Sequence, residues 1–173
     1  MAHLNIEIKA RCPNPDYVRK MLDAQQASYI GLDHQVDTYF KVKQGRLKLR
    51  EGNIERALIH YDRPNQAGPK RSVVRLFKIS SDTVLKEILI ASNDILVIVD
   101  KQREIYFIEN IKFHVDQVEG LGNFVEIEAI DEDGSIGEDK LRQQCQTYIN
   151  LFKIKEEDLV QLSYSDLLLN QAK

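Results

Sequence analysis

Charged residues in this chain of 173 residues recur at every second position of several short segments, and they are of the types that bind phosphate and metal. In "LNIEIKAR", residues 4–11, four apolar residues alternate with Asn5, Glu7, Lys9 and Arg11. The same spacing relates further charged residues: Arg46, Lys48 and Arg50; Lys101 and Arg103; Lys112, His114 and Asp116; Glu126 and Glu128. Guanidinium and ammonium groups bind phosphate oxygens, whereas carboxylates hold the divalent cations that bridge to phosphates. Together these groups would suit phosphoryl transfer.

Alternation with a period of two predicts β-strands, and it leaves two interpretations of the charged faces. A sheet with one face on a core and the other in water gives the same pattern. The charged faces contain few neutral polar residues, however, and the predicted helices need an apolar surface to cover. Both points favour strands whose charged faces point into a closed barrel. Because burying charges costs several kcal/mol per ion, such an interior would have to be wet and would need a ligand to complete the charge pairing.

The predicted elements fall into two halves of similar order. The first half has a strand at 4–11, a helix within 13–28, and strands within 34–42, 45–52 and 56–64. The second half has a strand at 71–79, a helix at 80–92 with Ser or Asp as its N-cap, and strands at 94–110, 111–120 and 123–131. Two helices follow, at 137–152 and roughly 156–170. The predicted fold class is mainly antiparallel β with helices (α+β). The eight predicted strands would form a closed eight-stranded β-barrel with helices packed outside and pseudo-duplicated halves, in one domain over 1–173.

Composition limits the partners and the compartment. The chain carries 24 basic and 27 acidic residues, a net charge of −3, which argues against a general nucleic-acid binder. It has no apolar run of membrane-spanning length and no signal-peptide layout at its start. The two cysteines are far apart in sequence and form no metal-type spacing, so a reducing, cytoplasmic location is expected. A small-molecule partner, without nucleic acid or membrane, is therefore predicted.

Six strings of the sequence resemble the CYTH family, also called triphosphate tunnel metalloenzymes. They are "NIEIKAR", "VDTYF", "LKLRE", "DRPNQAGPK", "VDKQREIY" and "VDQVEGLGNFVEIE", and the last is the most specific. The sequence as a whole most resembles the bacterial branch of the family that is similar to class IV adenylyl cyclases. The resemblance implies a closed eight-stranded tunnel, a substrate such as ATP that carries a triphosphate, Mg²⁺ or Mn²⁺ as cofactor and, by analogy, a homodimer.

The resemblance also implies roles for single residues. The implied metal ligands are Glu7, Glu126 and Glu128. The implied triphosphate-binding residues are Lys9, Lys48, Arg50, Lys101 and Arg103, and further basic candidates for the phosphates are Arg11, Arg63 and Arg75. The implied catalytic residues are Lys9, Lys101, Arg103 and Asp116. His114 shares a face with Asp116 and is an additional acid–base candidate.

Two positions depart from the family pattern. Asn5 stands where the signature Glu-x-Glu-x-Lys has its first Glu, and Tyr61 stands where many relatives have a phosphate-binding lysine. Three functions therefore remain open. They are cyclisation of ATP to cyclic AMP and pyrophosphate, hydrolysis of thiamine triphosphate, inorganic triphosphate or a nucleotide, and binding of a polyphosphate or nucleotide without turnover.

Overall fold

The computed structural model describes residues 3–80 and 84–173. Its strands are β1 (His3–Arg11), β2 (Ser28–Phe40), β3 (Arg46–Glu51), β4 (Arg56–Asp62), β5 (Lys70–Lys78), β6 (Ile95–Ile108), β7 (Ile111–Val118) and β8 (Gly122–Asp131). Its helices are α1 (Pro15–Ala24), α2 (Leu85–Ser92), α3 (Glu138–Leu151) and α4 (Tyr164–Gln171), with a short 3₁₀ helix at Glu156–Asp158. Within the described residues, no helix is long and apolar enough to span a bilayer.

The strands close into an antiparallel barrel in the order β1-β5-β4-β3-β2-β6-β7-β8. The first half of the chain runs β1-α1-β2-β3-β4 and the second runs β5-α2-β6-β7-β8. Corresponding strands of the two halves pair with each other, β1 with β5 and β2 with β6. The predicted closed barrel and its duplicated architecture are therefore confirmed.

The main apolar core lies outside the barrel, beneath the helices. Ile6 and Ile8 of β1 are buried in one cluster with Leu22 of α1 and with Leu141 and Cys145 of α3. Both cysteines are buried and free. Because the apolar face of β1 is covered by helices, its charged face must point into the barrel. The inward orientation is thus fixed by helix packing.

Phe113 of β7 tests the energetic weight of this outer core. Its side chain is fully buried, and its ring centre lies 4.6 Å from that of Tyr148 and 5.8 Å from that of Phe152. We expect Phe113→Ala to lower the free energy of unfolding by about 3–5 kcal/mol, since it removes apolar contacts and leaves a cavity. Urea denaturation measures this loss. Phe77→Ala is the matched control, because Phe77 is 68% exposed, and an equal loss in both variants would contradict this account of the core.

The last predicted helix is wrong in its first half. Residues 159–164, here called the C-terminal segment, begin in an extended conformation beside β1. Leu159 bridges to Ala10, and the Val160 amide donates to the Lys9 carbonyl at 2.9 Å. The helix begins only after Ser163, whose side chain accepts from the Asp166 amide. Pairing with β1 therefore overrides the helical spacing of the apolar residues in this segment.

The start of α2 also differs from the prediction. The described helix begins at Leu85, and Val84 in the cap position makes no side-chain hydrogen bond. Ser81 and Asp82, two of the predicted caps, lie outside the described residues. Leu89 of α2 packs with Phe40 and Leu49, so this helix covers the outer face of β2 and β3.

Candidate active site

The ladder register brings the charged side chains of neighbouring strands level inside the barrel. The opposed pairs include Glu7 with Glu128, Lys9 with Glu126, Arg103 with Asp116 and Arg50 with Asp37. Side chains opposed in this way lie within about 5.5 Å of each other at Cβ. The tunnel wall is therefore a dense set of charges contributed by most of the strands.

Asp37 of β2 is the centre of a basic cluster. Its Oδ2 accepts from Lys48 Nζ at 2.9 Å, Lys101 Nζ at 2.8 Å and Arg50 Nη2 at 2.9 Å, while Arg50 Nε donates to Oδ1 at 2.8 Å. Burial alone would raise the pKa of Asp37, but the charges of Arg50, Lys101 and Lys48 hold it well below its usual range. Glu55 Oε2 also accepts from Arg50 Nη1 at 3.1 Å. Two carboxylates thus face three cations, so the cluster keeps a surplus of positive charge for an anion.

A second cluster lies around Asp116 and Glu126. Arg103 donates to both Asp116 oxygens at 2.7 and 2.6 Å and to Glu126 Oε2 at 2.9 Å. His114 Nδ1 lies 3.1 Å from the same Glu126 oxygen, and the Tyr164 hydroxyl donates to Asp116 at 2.7 Å. Burial lowers the pKa of His114 to about 4, and Arg103 adds to this effect. The imidazole is therefore neutral at pH 7.

Lys9 connects this cluster to the C-terminal segment. Its Nζ lies 3.4 Å from Glu126 Oε1 and 3.8 Å from the centre of the Tyr164 ring, and it donates to the Leu162 carbonyl at 3.5 Å. Burial lowers the pKa of Lys9 to about 7, against the opposing effect of Glu126. The ammonium is held by a carboxylate, an aromatic face and a carbonyl, which position its charge inside the tunnel.

Lys70 is a second buried lysine at the same end of the tunnel. It stands opposite Glu7 in the ladder, and its Nζ donates to the carbonyls of Val160 and Gln161 at 3.0 and 2.7 Å. Burial lowers the pKa of Lys70 to about 8. Lys70 and Lys9 thus both hydrogen-bond to backbone carbonyls of the C-terminal segment and hold it against the barrel.

The acidic side of the tunnel has the donor groups of a cation site. Glu7 and Glu128 face each other on adjacent strands, and the Asn5 amide nitrogen donates to Glu128. Burial raises the pKa of Glu128 to about 7 despite Lys112, and Glu7 and Glu126 add to the rise. Asn5 Oδ1 is buried and accepts from no described residue. Crowded carboxylates beside an unpartnered amide oxygen suit a hard divalent cation.

The side chains are nevertheless turned towards protein partners. Arg63 donates to Glu7, and Lys9 and Arg103 pair with Glu126. Accordingly, residues 3–80 and 84–173 contain no ready-made group of three His, Cys, Asp or Glu side chains placed to hold a metal. The residues fit a cation bound by one or two carboxylates and completed by substrate phosphates, the usual arrangement for Mg²⁺.

Most predicted site residues line the tunnel. Those on inward positions of the ladder are Glu7, Lys9, Arg11, Lys48, Arg50, Lys101, Arg103, Asp116, Glu126 and Glu128. Arg11 is exposed, and its guanidinium carbon lies 5.3 Å from the centre of the Phe124 ring. Arg63 follows β4 and is buried against Glu7.

Arg75 was wrongly predicted to face the phosphates. It is exposed, and it pairs in the ladder with His60, the neighbour of the inward residue Tyr61. Successive residues of a strand point to opposite faces, so Arg75 lies outside the barrel. Val73 and Val74 are both apolar, which removes the alternation that would have shown the orientation of β5.

Tyr61, the second departure from the family pattern, lies inside the tunnel. Its hydroxyl is 3.3 Å from that of Tyr39, and Lys48 Nζ and the Arg63 guanidinium lie 5.7 and 5.5 Å from its ring centre. Burial raises the pKa of Tyr61 well above its usual value, so it stays a neutral phenol. Arg63, two residues later, brings a cation to this region of the wall.

No role was assigned from the sequence to Asp37, Lys70 or Tyr164, although all three lie in the site. Asp37 lies inside the quoted string "VDTYF", two residues before Tyr39, and the period of two places these side chains on one face. Lys70 and Tyr164 gave no such signal, since their positions depend on the path of the C-terminal segment. Contacts between residues so distant in sequence leave no local pattern to detect.

Comparison with known protein families identifies the family that has this architecture. The model of the CYTH domain matches residues 3–164. The chain belongs to the CYTH family. No curated protein matches the chain in sequence. The family match covers all eight strands and the C-terminal segment, and therefore every element that carries the tunnel charges.

Several solved structures have the same fold, and they align with nearly the whole CYTH chain. A protein of Pyrococcus horikoshii is similar at 22% identity with a TM-score of 0.79, covering 94% of this chain and 98% of that one. A Vibrio parahaemolyticus protein with a proposed adenylate cyclase activity has 18% identity and a TM-score of 0.79, with 98% and 99% covered. A Hippeastrum protein, a proposed adenylyl cyclase described as having a dominant triphosphatase activity, has 13% identity and a TM-score of 0.60, with 98% and 95% covered. At these identities the likeness shows the fold.

Proposed function

We propose that this CYTH protein is a metal-dependent enzyme acting on a small molecule that carries a triphosphate, and that it converts ATP into cyclic AMP and pyrophosphate as class IV adenylyl cyclases do. The observation that carries the proposal is the convergence of Lys48, Arg50 and Lys101 on one point inside the tunnel. The carboxylates of β1 and β8 lie on the opposite side of the same closed barrel. The choice of this reaction rests on the resemblance of the quoted sequence strings to the class IV branch.

The basic wall is suited to holding a triphosphate in line for reaction. Arg50 and Arg103 each present a planar fork of donors that can grip two phosphate oxygens, whereas Lys48 and Lys101 act as point charges. Most of the surrounding wall is buried, so these cations act in a medium where charge interactions are stronger than in water. Binding would fix the phosphates relative to the attacking ribose 3′-hydroxyl and reduce the entropic barrier.

The carboxylates Glu7, Glu126 and Glu128 would hold Mg²⁺ or Mn²⁺ next to the phosphates. When bound, the cation would neutralise negative charge at the phosphorus under attack. Arg63 already neutralises Glu7, and Lys9 and Arg103 neutralise Glu126, so these acids can exchange a protein cation for a metal without becoming unpaired. Asn5 lowers the negative charge of this group by one relative to a glutamate, which favours a single metal ion.

An open pocket beside the basic cluster supports an organic triphosphate over the inorganic ion. It has a volume of about 450 Å³ and is lined by Tyr39, Arg46, Asp62 and Asp166 among others. The Tyr39 hydroxyl is 3.4 Å from Lys48 Nζ, so the pocket adjoins the triphosphate-binding wall. Pockets of about 300–1,000 Å³ accommodate small organic ligands, which is the size class of a nucleoside.

Hydrolysis of an organic or inorganic triphosphate is the second candidate. Both reactions need the same basic wall and differ in which phosphorus lies at the metal and in whether a ribose hydroxyl or water attacks it. The replaced residues Asn5 and Tyr61 bear on this choice, since both alter the charge around the phosphates. They also support a third candidate, a protein that binds the triphosphate without transforming it.

Product identification separates the three candidates. The purified protein is incubated with ATP, thiamine triphosphate and inorganic triphosphate, each with Mg²⁺ and with Mn²⁺, and every product is identified. We expect cyclic AMP and pyrophosphate from ATP. Orthophosphate as the sole product would assign the protein to the triphosphatases. Tight binding of all three without any product would overturn the enzymatic proposal, and absence of binding would overturn the triphosphate site itself.

A further inference from the structure

Asp37 is an acid at the centre of a basic site, a position from which it would repel a phosphate. It is 1% exposed, and its two oxygens accept four hydrogen bonds from Lys48, Arg50 and Lys101 at 2.8–2.9 Å. Such a group lowers the net positive charge that the substrate meets. Its presence among the bases therefore calls for a function of its own.

The three bases come from two strands that do not touch each other. Lys48 and Arg50 lie on β3 and Lys101 lies on β6, with β2 between them. Asp37 on β2 is the described carboxylate that all three share. Lysine side chains have several rotatable bonds and lose conformational entropy when they are fixed, so a common acceptor is needed to gather their ammonium groups at one place.

Asp37 also opposes the mutual repulsion of these cations. Burial lowers the pKa of Lys101 to about 7, and Arg50, Arg103 and Lys48 lower it as well, whereas Asp37 raises it. On the other neighbouring strand, the residue opposite Lys101 is the apolar Val118. On α4, which packs against β6, Asp166 is paired with Arg46. Among the acids named here, Asp37 is thus the one whose charge raises the pKa of Lys101.

We propose that Asp37 is a positioning residue that gathers Lys48, Arg50 and Lys101 and keeps them charged until a triphosphate takes its place as their shared anion. This inference rests on the proposed triphosphate site. In the free protein the carboxylate occupies the position of a counter-ion. On binding, phosphate oxygens supply the negative charge, and the bases move little because they are already gathered.

The proposal predicts a particular pH dependence for Asp37→Asn. Without the carboxylate, the pKa of Lys101 falls further below its value of about 7 in the native protein. A lysine is charged below its pKa and neutral above it, so the variant loses this cation at a lower pH than the native protein does. Its affinity for a triphosphate therefore falls at lower pH. At the acidic end, where all three bases are charged, the variant lacks the repelling carboxylate and binds at least as tightly.

The experiment is a calorimetric titration with inorganic tripolyphosphate from about pH 5.5 to about pH 8.5, a range that spans the lowered pKa of Lys101. The native protein is compared with Asp37→Asn, with the charge-conserving Asp37→Glu, and with Glu104→Gln as the control. Glu104 holds Arg19 outside the barrel, with Arg19 Nη2 donating at 2.7 Å. Comparing variants cancels the titration of tripolyphosphate itself.

In Asp37→Asn, we expect the affinity to fall at a pH that is lower by about one unit or more than in the native protein. An anion binds about tenfold less tightly for each pH unit above the pKa of a required cation, so the variant should bind about tenfold more weakly at alkaline pH. Asp37→Glu and Glu104→Gln should keep the native profile. An unmoved profile in Asp37→Asn, or an equal loss of affinity at every pH, would overturn the proposal, because a structural role weakens binding uniformly.

Folding of the variant gives a second readout. Tripolyphosphate should raise the melting temperature of Asp37→Asn more than that of the native protein at acidic pH, since it replaces the missing counter-charge. A variant that fails to fold even with tripolyphosphate would make Asp37 a purely structural counter-ion and overturn the proposal. If the native protein binds no tripolyphosphate, the proposed function itself fails, and that outcome is distinct from native binding with an unmoved profile in the variant.

Discussion

Replacing Glu126 by glutamine is expected to lower metal-dependent turnover by about 100- to 1,000-fold, the range seen when one preorganised electrostatic group is removed from an active site. Glu126 is the acid on which the site converges, since Lys9, Arg103 and His114 all approach it within 3.4 Å. The amide has the same shape but no charge, so it binds a divalent cation poorly. Raising the Mn²⁺ concentration should restore part of the activity.

The fold should survive this change. Arg103 keeps its two hydrogen bonds to Asp116, so no buried guanidinium is left unpaired. Glu104→Gln is the matched control, because Glu104 also holds an arginine, Arg19, but outside the barrel. Steady-state rates and melting temperatures of both variants are the measurements. Native turnover in Glu126→Gln would remove this residue from the metal site.

The second large effect is expected for Arg50→Met, which should weaken triphosphate binding about 100-fold. The guanidinium can make two charge-assisted hydrogen bonds to phosphate, together worth about 3 kcal/mol, and 1.4 kcal/mol corresponds to about tenfold in affinity. Asp37 stays paired with Lys48 and Lys101 in this variant, so the loss is one of binding and not of folding.

Arg75→Met is the control for Arg50→Met, and it tests whether tripolyphosphate binds to the inner or the outer face of the barrel. Both substitutions remove one arginine charge from a strand, but Arg75 is exposed on the outer face. Calorimetry with tripolyphosphate at low salt should show native affinity for Arg75→Met. Equal weakening in both variants would mean that overall charge, and not the tunnel wall, determines binding.

The closed barrel and most of its inner wall could be predicted from the sequence because alternation is a local property. In β1, apolar and polar residues alternate without interruption, and the helices that need an apolar surface determine which face lies inside. The same logic failed for Arg75, because the adjacent valines of β5 interrupt the alternation. One ambiguous step reverses the orientation of every residue that follows.

The pairing of acids with bases could not be predicted from the sequence. Arg63 pairs with Glu7, which is 56 residues away in the sequence, and Lys70 donates to the carbonyl of Gln161, which is 91 residues away. Such contacts depend on the barrel order and on the C-terminal segment, whose apolar residues have helical spacing but pair with β1. Tertiary hydrogen bonding decides their conformation, and local propensity does not.

The most direct test of the central account is a crystal structure of the protein with tripolyphosphate and Mn²⁺. We expect phosphate density inside the barrel, with oxygens in contact with Arg50 and Lys101, and an anomalous Mn²⁺ peak beside Glu126 and Glu128. Phosphate bound only on the outer surface, or a metal peak away from these carboxylates while the tunnel contains no ligand, would contradict it.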